Sequence, residues 1–108
     1  MNKDEMALKR RLEAGNFAGN NGRIIRTVNV LKGKWIALGT VKDALSDVDN
    51  IEQSLIYLER GHYLIVRNIE TREAVEMEDA KDDTCEVTLT KHGIDLALYY
   101  IEDPAVKV

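Results

Sequence analysis

Two helix-start signals stand nine residues apart in the middle of this chain, and that spacing restricts the fold more than any other feature. Thr40 with Asp43 three residues later resembles a capping box with Asp in place of Glu, and Asp49 with Glu52 repeats it. Val41, Ala44, Leu45 and Val48 supply the inward face of a first helix of about two turns. Ile51, Leu55 and Leu58, at i, i+4 and i+7, supply that of a second, which ends by Gly61. Only a tight turn at residues 47–49 fits between them, which is helix-turn-helix spacing.

Beyond Gly61 the apolar period changes from helical to extended. The run "HYLIVRNI" is β-branched and aromatic and reads as a strand, while "TCEVTLT" alternates Cys85, Val87 and Leu89 against Glu86 and Thr88. The two form a hairpin. The segment between them, residues 70–83, exceeds a minimal loop, and Val75 and Met77 are expected to extend the strands before a "DAKDD" turn. Thr90 then caps a closing helix with Ile94, Ala97, Leu98 and Ile101 inward, ended by Pro104.

Upstream, residues 3–14 have helix-forming composition, with Met6, Leu8 and Leu12 apolar and Lys9, Arg10 and Arg11 on the polar side. The segment "GNFAGNNG" reads as a flexible connector over residues 15–22. A second helix succeeds it, with Ile24, Ile25, Val28 and Leu31 as its stripe and Gly33 as its stop, and "KWIAL" is an edge strand or a buried bridge.

With 108 residues and 44% apolar content, the chain supports one core and is read as a single domain, 1–108. Its parts are a helix and connector (1–22), a helical core (23–61), a hairpin (62–90) and a closing helix (91–103). No run approaches the roughly 20 apolar residues of a membrane span, and the start "MNKDE" lacks a signal-peptide layout, so a cytoplasmic protein without a membrane partner is expected. Cys85 has no cysteine partner, and with His62 and His92 it makes too few ligands for a structural zinc site. There is no P-loop, neither histidine has an evident nucleophile beside it, and "EDAKDD" lacks EF-hand spacing. The expectation is a non-enzyme with no catalytic residue, metal or cofactor.

The order helix, helix, turn, helix, hairpin, helix, with "DNIEQSLIYLERGHYLIV" and "VTLTKHGIDLA", resembles the winged helix-turn-helix superfamily over residues 40–97. The resemblance implies an α+β fold with a three-helix core, a long β-hairpin wing and a C-terminal helix, to which this chain adds an N-terminal helix. The closing "LTKHGIDLALYYIEDPAV" is similar to small winged-helix proteins of Mu-like prophages. Family members often carry glycine at the slot of His62, whereas here the glycine is Gly61. Either the helix ends a residue early or His62 takes a left-handed cap.

The superfamily serves repressors, nucleic-acid enzymes and protein-binding modules, so function has to come from side chains. With Ile51, Leu55 and Leu58 inward, a wheel of about 100° per residue turns Gln53, Tyr57, Arg60 and, more laterally, Asn50 outward. Gln and Asn pair with adenine, Arg with guanine or phosphate, and Tyr with phosphate. Against this, residues 68–86 hold 8 acidic side chains and 2 basic ones, the opposite of a wing that hugs phosphates. The charge is also divided along the chain: 9 basic against 5 acidic residues through Asp47, then 6 against 14. Binding to double-stranded DNA, as a bacterial or phage-type transcriptional regulator, therefore requires the wing to point away. Phosphate contacts then fall to Arg23, Arg26, Lys34, Lys42 and Arg60, with Lys91 and His92 in addition. The alternative is a protein-interaction module using the closing helix or the acidic hairpin. Leu96, Tyr99 and Tyr100 are expected on the outer side of the closing helix, either as a homodimer interface or covered by Met6, Leu8 and Leu12 of the first helix.

Overall fold

In the computed structural model, which describes residues 2–108, the chain begins with one helix where two and a connector were expected. α1 runs unbroken over Lys3–Asn29, its first turn capped by Asn2 Oδ1 accepting the Glu5 N–H at 2.9 Å. The glycines and asparagines of residues 15–22 are thus helical, although each helical glycine costs about 1 kcal/mol relative to alanine. The C-terminal tail accounts for part of this. Ala18, Asn21 and Gly22 are buried beneath it, and a Cβ on Gly22 would collide with the Lys107 carbonyl. Asn21 Nδ2 donates to the Ala105 carbonyl at 2.9 Å, and the Lys107 N–H donates to that of Ala18 at 3.0 Å. A breaker in the sequence is a notch in the structure.

After turns at Lys32 and Gly33, both with positive φ, β1 (Ile36–Ala37) leads straight into α2 (Leu38–Ala44). α3 (Ile51–Arg60) is next, then β2 (Leu64–Asn68), a 3₁₀ turn (Met77–Asp79), β3 (Cys85–Leu89) and α4 (Lys91–Ala97). The architecture is α+β, as expected. The strands form one antiparallel sheet in the order β1-β3-β2, with Ile36 and Val66 both opposite Val87. Ile24, Ile25 and Val28 of α1, Leu38 and Val41 of α2, Leu55 and Leu58 of α3 and Leu64, Val66 and Val87 of the sheet make a common core.

Two helices follow one another as expected, but they start at Leu38 and Ile51 rather than at Thr40 and Asp49. Residues 45–50 separate them where a tight turn at 47–49 was expected, and neither capping box forms. α2 starts before Thr40, at a cap without a side-chain bond, and its Gly39 N–H is satisfied instead by the Asp82 carbonyl at 3.1 Å. α3 is preceded by Asn50 in a left-handed conformation (φ 54°), also without a side-chain cap. Long-range contact and backbone geometry do there what the hydroxyl and carboxylate were expected to do.

At the corner after α3, His62 takes the left-handed cap (φ 64°). Tyr63 N–H reaches the Leu58 carbonyl at 3.0 Å and His62 N–H that of Glu59 at 2.9 Å, a Schellman arrangement. Tyr63 then stacks on His92, with centroids 4.8 Å apart, and donates its hydroxyl to Asp103 at 2.6 Å. Thr90 Oγ1 donates to the His62 carbonyl at 2.5 Å and accepts the Gly93 N–H at 3.0 Å. Gly93 lies so close to the Tyr63 carbonyl that a Cβ would overlap it. The Thr-x-x-Gly pattern is the joint between α4 and the start of β2.

Two expectations about the second half are corrected. The closing helix ends at Ala97, not near Pro104, because Tyr99 turns left-handed (φ 64°) and the Tyr100 N–H bonds back to the Asp95 carbonyl at 2.8 Å. That sends the tail across α1 and shifts the buried face: Leu96 is 1% exposed while Leu98 is 48% exposed. The long β2–β3 connection is not a simple hairpin either. Residues 68–73 turn, the Val75 N–H returns to the Val66 carbonyl at 3.0 Å, and buried Met77 packs the 3₁₀ turn against α3. Met6, Leu8 and Leu12 cover nothing and stay exposed.

Candidate nucleic-acid interface

The four residues expected to contact bases or phosphate, Asn50 at the cap of α3 and Gln53, Tyr57 and Arg60 within it, are brought together. Asn50, Gln53, Tyr57 and Arg60 are exposed and line one shallow groove of about 740 Å³. The α3 stripe positions them: with Leu55 and Leu58 pinned in the core, the opposite side of a ten-residue helix has to face out. The groove also contains Phe17, Val48 and Ile56, so its lining is partly apolar. Phe17 of α1 meets Tyr57 edge-on at 5.0 Å and fixes the ring.

Phe17 is a residue that sequence reasoning missed. Its signal was present, since Phe17, Asn21, Ile24 and Val28 have helical spacing, but reading residues 15–22 as a connector removed the periodicity. The same correction changes the surroundings. Arg10 precedes Phe17 by seven residues, about two turns, so it continues the groove side of α1. Residues 2–16 are all exposed, which leaves Lys3, Lys9, Arg10 and Arg11 on a projecting arm.

The cations expected to meet phosphates are largely occupied within the chain. Lys42 Nζ lies 2.7 Å from Asp82 and 3.3 Å from Glu52, with its side chain 19% exposed. Burial alone would lower its pKa, but hydrogen bonds to the two carboxylates more than compensate and hold it above the usual lysine value. Arg23 makes two bonds to Asp47, at 2.8 and 3.1 Å; they raise the guanidinium and draw the carboxyl below its ordinary range. Arg26 donates to the Lys107 carbonyl at 3.2 Å. Arg60 is the loosest, 3.5 Å from Glu78 with both side chains exposed. Lys34 is exposed but stands before β1, outside the groove lining. Lys91 pairs with Asp95 at 2.8 Å and His92 is stacked on Tyr63.

The acidic connection causes much of this. It folds back onto α2 and α3, bringing Glu78 to Arg60 and Asp82 to Lys42, and the Met77 N–H donates to Glu59 at 2.7 Å. Burial pushes the Glu59 carboxyl above its usual value, with the Met77 bond opposing.

Of the residues expected at a dimer interface, Leu96 is withdrawn into the core, whereas Tyr99 and Tyr100 are exposed beyond the end of α4. Tyr99 donates its hydroxyl to the Val108 carbonyl at 2.9 Å. Among the described residues, no three His, Cys, Asp or Glu side chains are arranged to hold a metal, and no helix is long and apolar enough to cross a membrane. Compared with protein-family models, curated proteins and solved structures, the chain matches none.

Proposed function

We propose that this chain is a winged helix-turn-helix protein that binds double-stranded DNA as a phage-type or bacterial transcriptional regulator, with α3 as its recognition helix. The observation that carries the reading is the set of four polar side chains lining one exposed groove, Asn50 at the cap of α3 and Gln53, Tyr57 and Arg60 on its outer face. Supporting it are the short α2–turn–α3 unit and the sheet order β1-β3-β2 behind it. Gln53 and Asn50 offer paired donor and acceptor groups to adenine, Arg60 reaches guanine on leaving Glu78, and Tyr57 meets phosphate. Phosphate contact falls to Arg10 and Arg11 of the α1 arm more than to Lys42 or Arg23, whose charges are already paired. The acidic connection serves as a brace for α2 and α3, not as a phosphate-binding wing.

A second reading draws on the partly apolar groove. Phe17, Val48 and Ile56 beside the Glu52 carboxylate suit a protein segment better than a phosphate backbone. A titration of mixed-sequence duplex DNA at two salt concentrations separates the two. With three phosphate contacts, a fourfold rise in salt should weaken binding about 40-fold, and Arg10→Ala with Arg11→Ala should flatten that dependence. Absence of binding at low salt would overturn the DNA reading in favour of the protein module.

A further inference from the structure

The face of α1 turned away from the core carries a pattern that the rest of the chain does not use. On a wheel of about 100° per residue, Leu8, Leu12, Gly15 and Gly19 fall within an arc of about 60°. Leu8 and Leu12 are 58% and 61% exposed. A Cβ on Gly15 or Gly19 would meet nothing within 4 Å, so neither glycine is required by a contact inside the chain, unlike Gly22. Two helix-interior glycines cost about 2 kcal/mol relative to alanine, and a free arm of this length is marginal as a helix in water. The arm is nevertheless continuous with α1 from Lys3.

Gly15 and Gly19 line a trough of about 840 Å³ that runs beside α1 and is bounded across it by Asp47, Asp49 and Lys107. Along this face the order from the N-terminal end is acid, leucine, leucine, glycine, glycine, arginine: Asp4, Leu8, Leu12, Gly15, Gly19, Arg23. Such an order is complementary to itself when reversed. An antiparallel copy sets Leu12 over Gly15 and Leu8 over Gly19, with Asp4 at the outer side of Arg23, whose bonds to Asp47 are kept, and two-fold symmetry repeats each contact. A parallel copy sets leucine on leucine and acid on acid. Flanking charges agree, since Lys9 of the incoming arm approaches the Asp47 and Asp49 side of the trough.

We propose that the occupant of the trough is a second copy of this chain, bound through an antiparallel α1–α1 contact in which the leucines of each arm seat on the glycines of the other. This interface is separate from Tyr99 and Tyr100, and it holds whether or not α3 reads DNA. The test is the mass of the full chain in solution by light scattering, across a concentration series. Wild type should reach twice the chain mass. Gly15→Leu with Gly19→Leu should halve it, while the thermal unfolding of each monomer is retained, because a Cβ at either position meets nothing within 4 Å. Tyr99→Ala with Tyr100→Ala should remain dimeric. Chains carrying Leu12→Cys mixed with chains carrying Gly15→Cys should form a disulfide between them, and Leu12→Cys alone should not. A monomer at the highest soluble concentration, a dimer that survives the double glycine substitution, or self-crosslinking of Leu12→Cys would each overturn the proposal.

Discussion

Gly22→Ala is the sharpest test of how the tail and α1 hold each other. In an isolated helix the change is favourable by about 1 kcal/mol. Here the new methyl meets the Lys107 carbonyl, so the helix has to distort or the tail has to leave. Releasing the tail loses the burial of Val106, which is 3% exposed and contributes about 2 kcal/mol. It also loses two internal hydrogen bonds, from Asn21 to the Ala105 carbonyl and from Lys107 to that of Ala18, at about 1 kcal/mol each. The helix gain and the chain entropy recovered by residues 104–108 offset part of this, so the destabilisation expected in the full chain has an upper bound of about 3 kcal/mol. The assay is urea unfolding of Gly22→Ala in the full chain and in a chain ending at Asp103. Without the tail the clash is gone and the same substitution should stabilise, so the sign should reverse between the two backgrounds. Equal destabilisation in both, or stabilisation in the full chain, would refute this coupling of tail to helix.

The joint around Tyr63 yields two further expected outcomes. Gly93→Ala should destabilise by about 1–3 kcal/mol in urea unfolding, because its Cβ overlaps the Tyr63 carbonyl and α4 has to shift from β2. The Tyr63 hydroxyl is pushed up to about 12, by burial first and then by its hydrogen bond to Asp103 and that charge. Since the unfolded chain titrates near 10, the stabilisation of the neutral phenol is fully present below pH 10 and is lost as pH rises from 10 to 12. Its upper bound is about 2–3 kcal/mol. Wild type should therefore lose stability relative to Tyr63→Phe across that window, as read by denaturant midpoints at each pH; parallel midpoints would contradict this.

The parts of the fold that were legible in the sequence are those set by neighbours along the chain. Leu55 and Leu58 fix the phase of α3 and hence the outward set of Gln53, Tyr57 and Arg60; Thr90 caps α4 as its position suggests. His62 was legible as an alternative, since a glycine at position 61 leaves the left-handed slot to the residue after it. The features that escaped depend on partners far away in sequence. Residues 15–22 read as a connector because Ala105, 84 residues beyond Asn21, cannot be anticipated as the cover of a glycine-rich helix face. Leu96 was placed outward because the helix was extended past Ala97, and an early stop changes which side points in. Lys42 and Arg60 read as free cations because the fold-back of the acidic connection, which brings Asp82 and Glu78 to them, leaves no periodic trace.

Whether the outer face of α3 is the recognition surface is decided most directly by backbone amide shifts of the labelled full chain, titrated with mixed-sequence duplex DNA at low salt. The shifts should concentrate on residues 50–60 and on the arm around Arg10, and they should shrink as salt is added. Shifts confined to the sheet and the C-terminal tail, or no shifts at all, would contradict that assignment of α3.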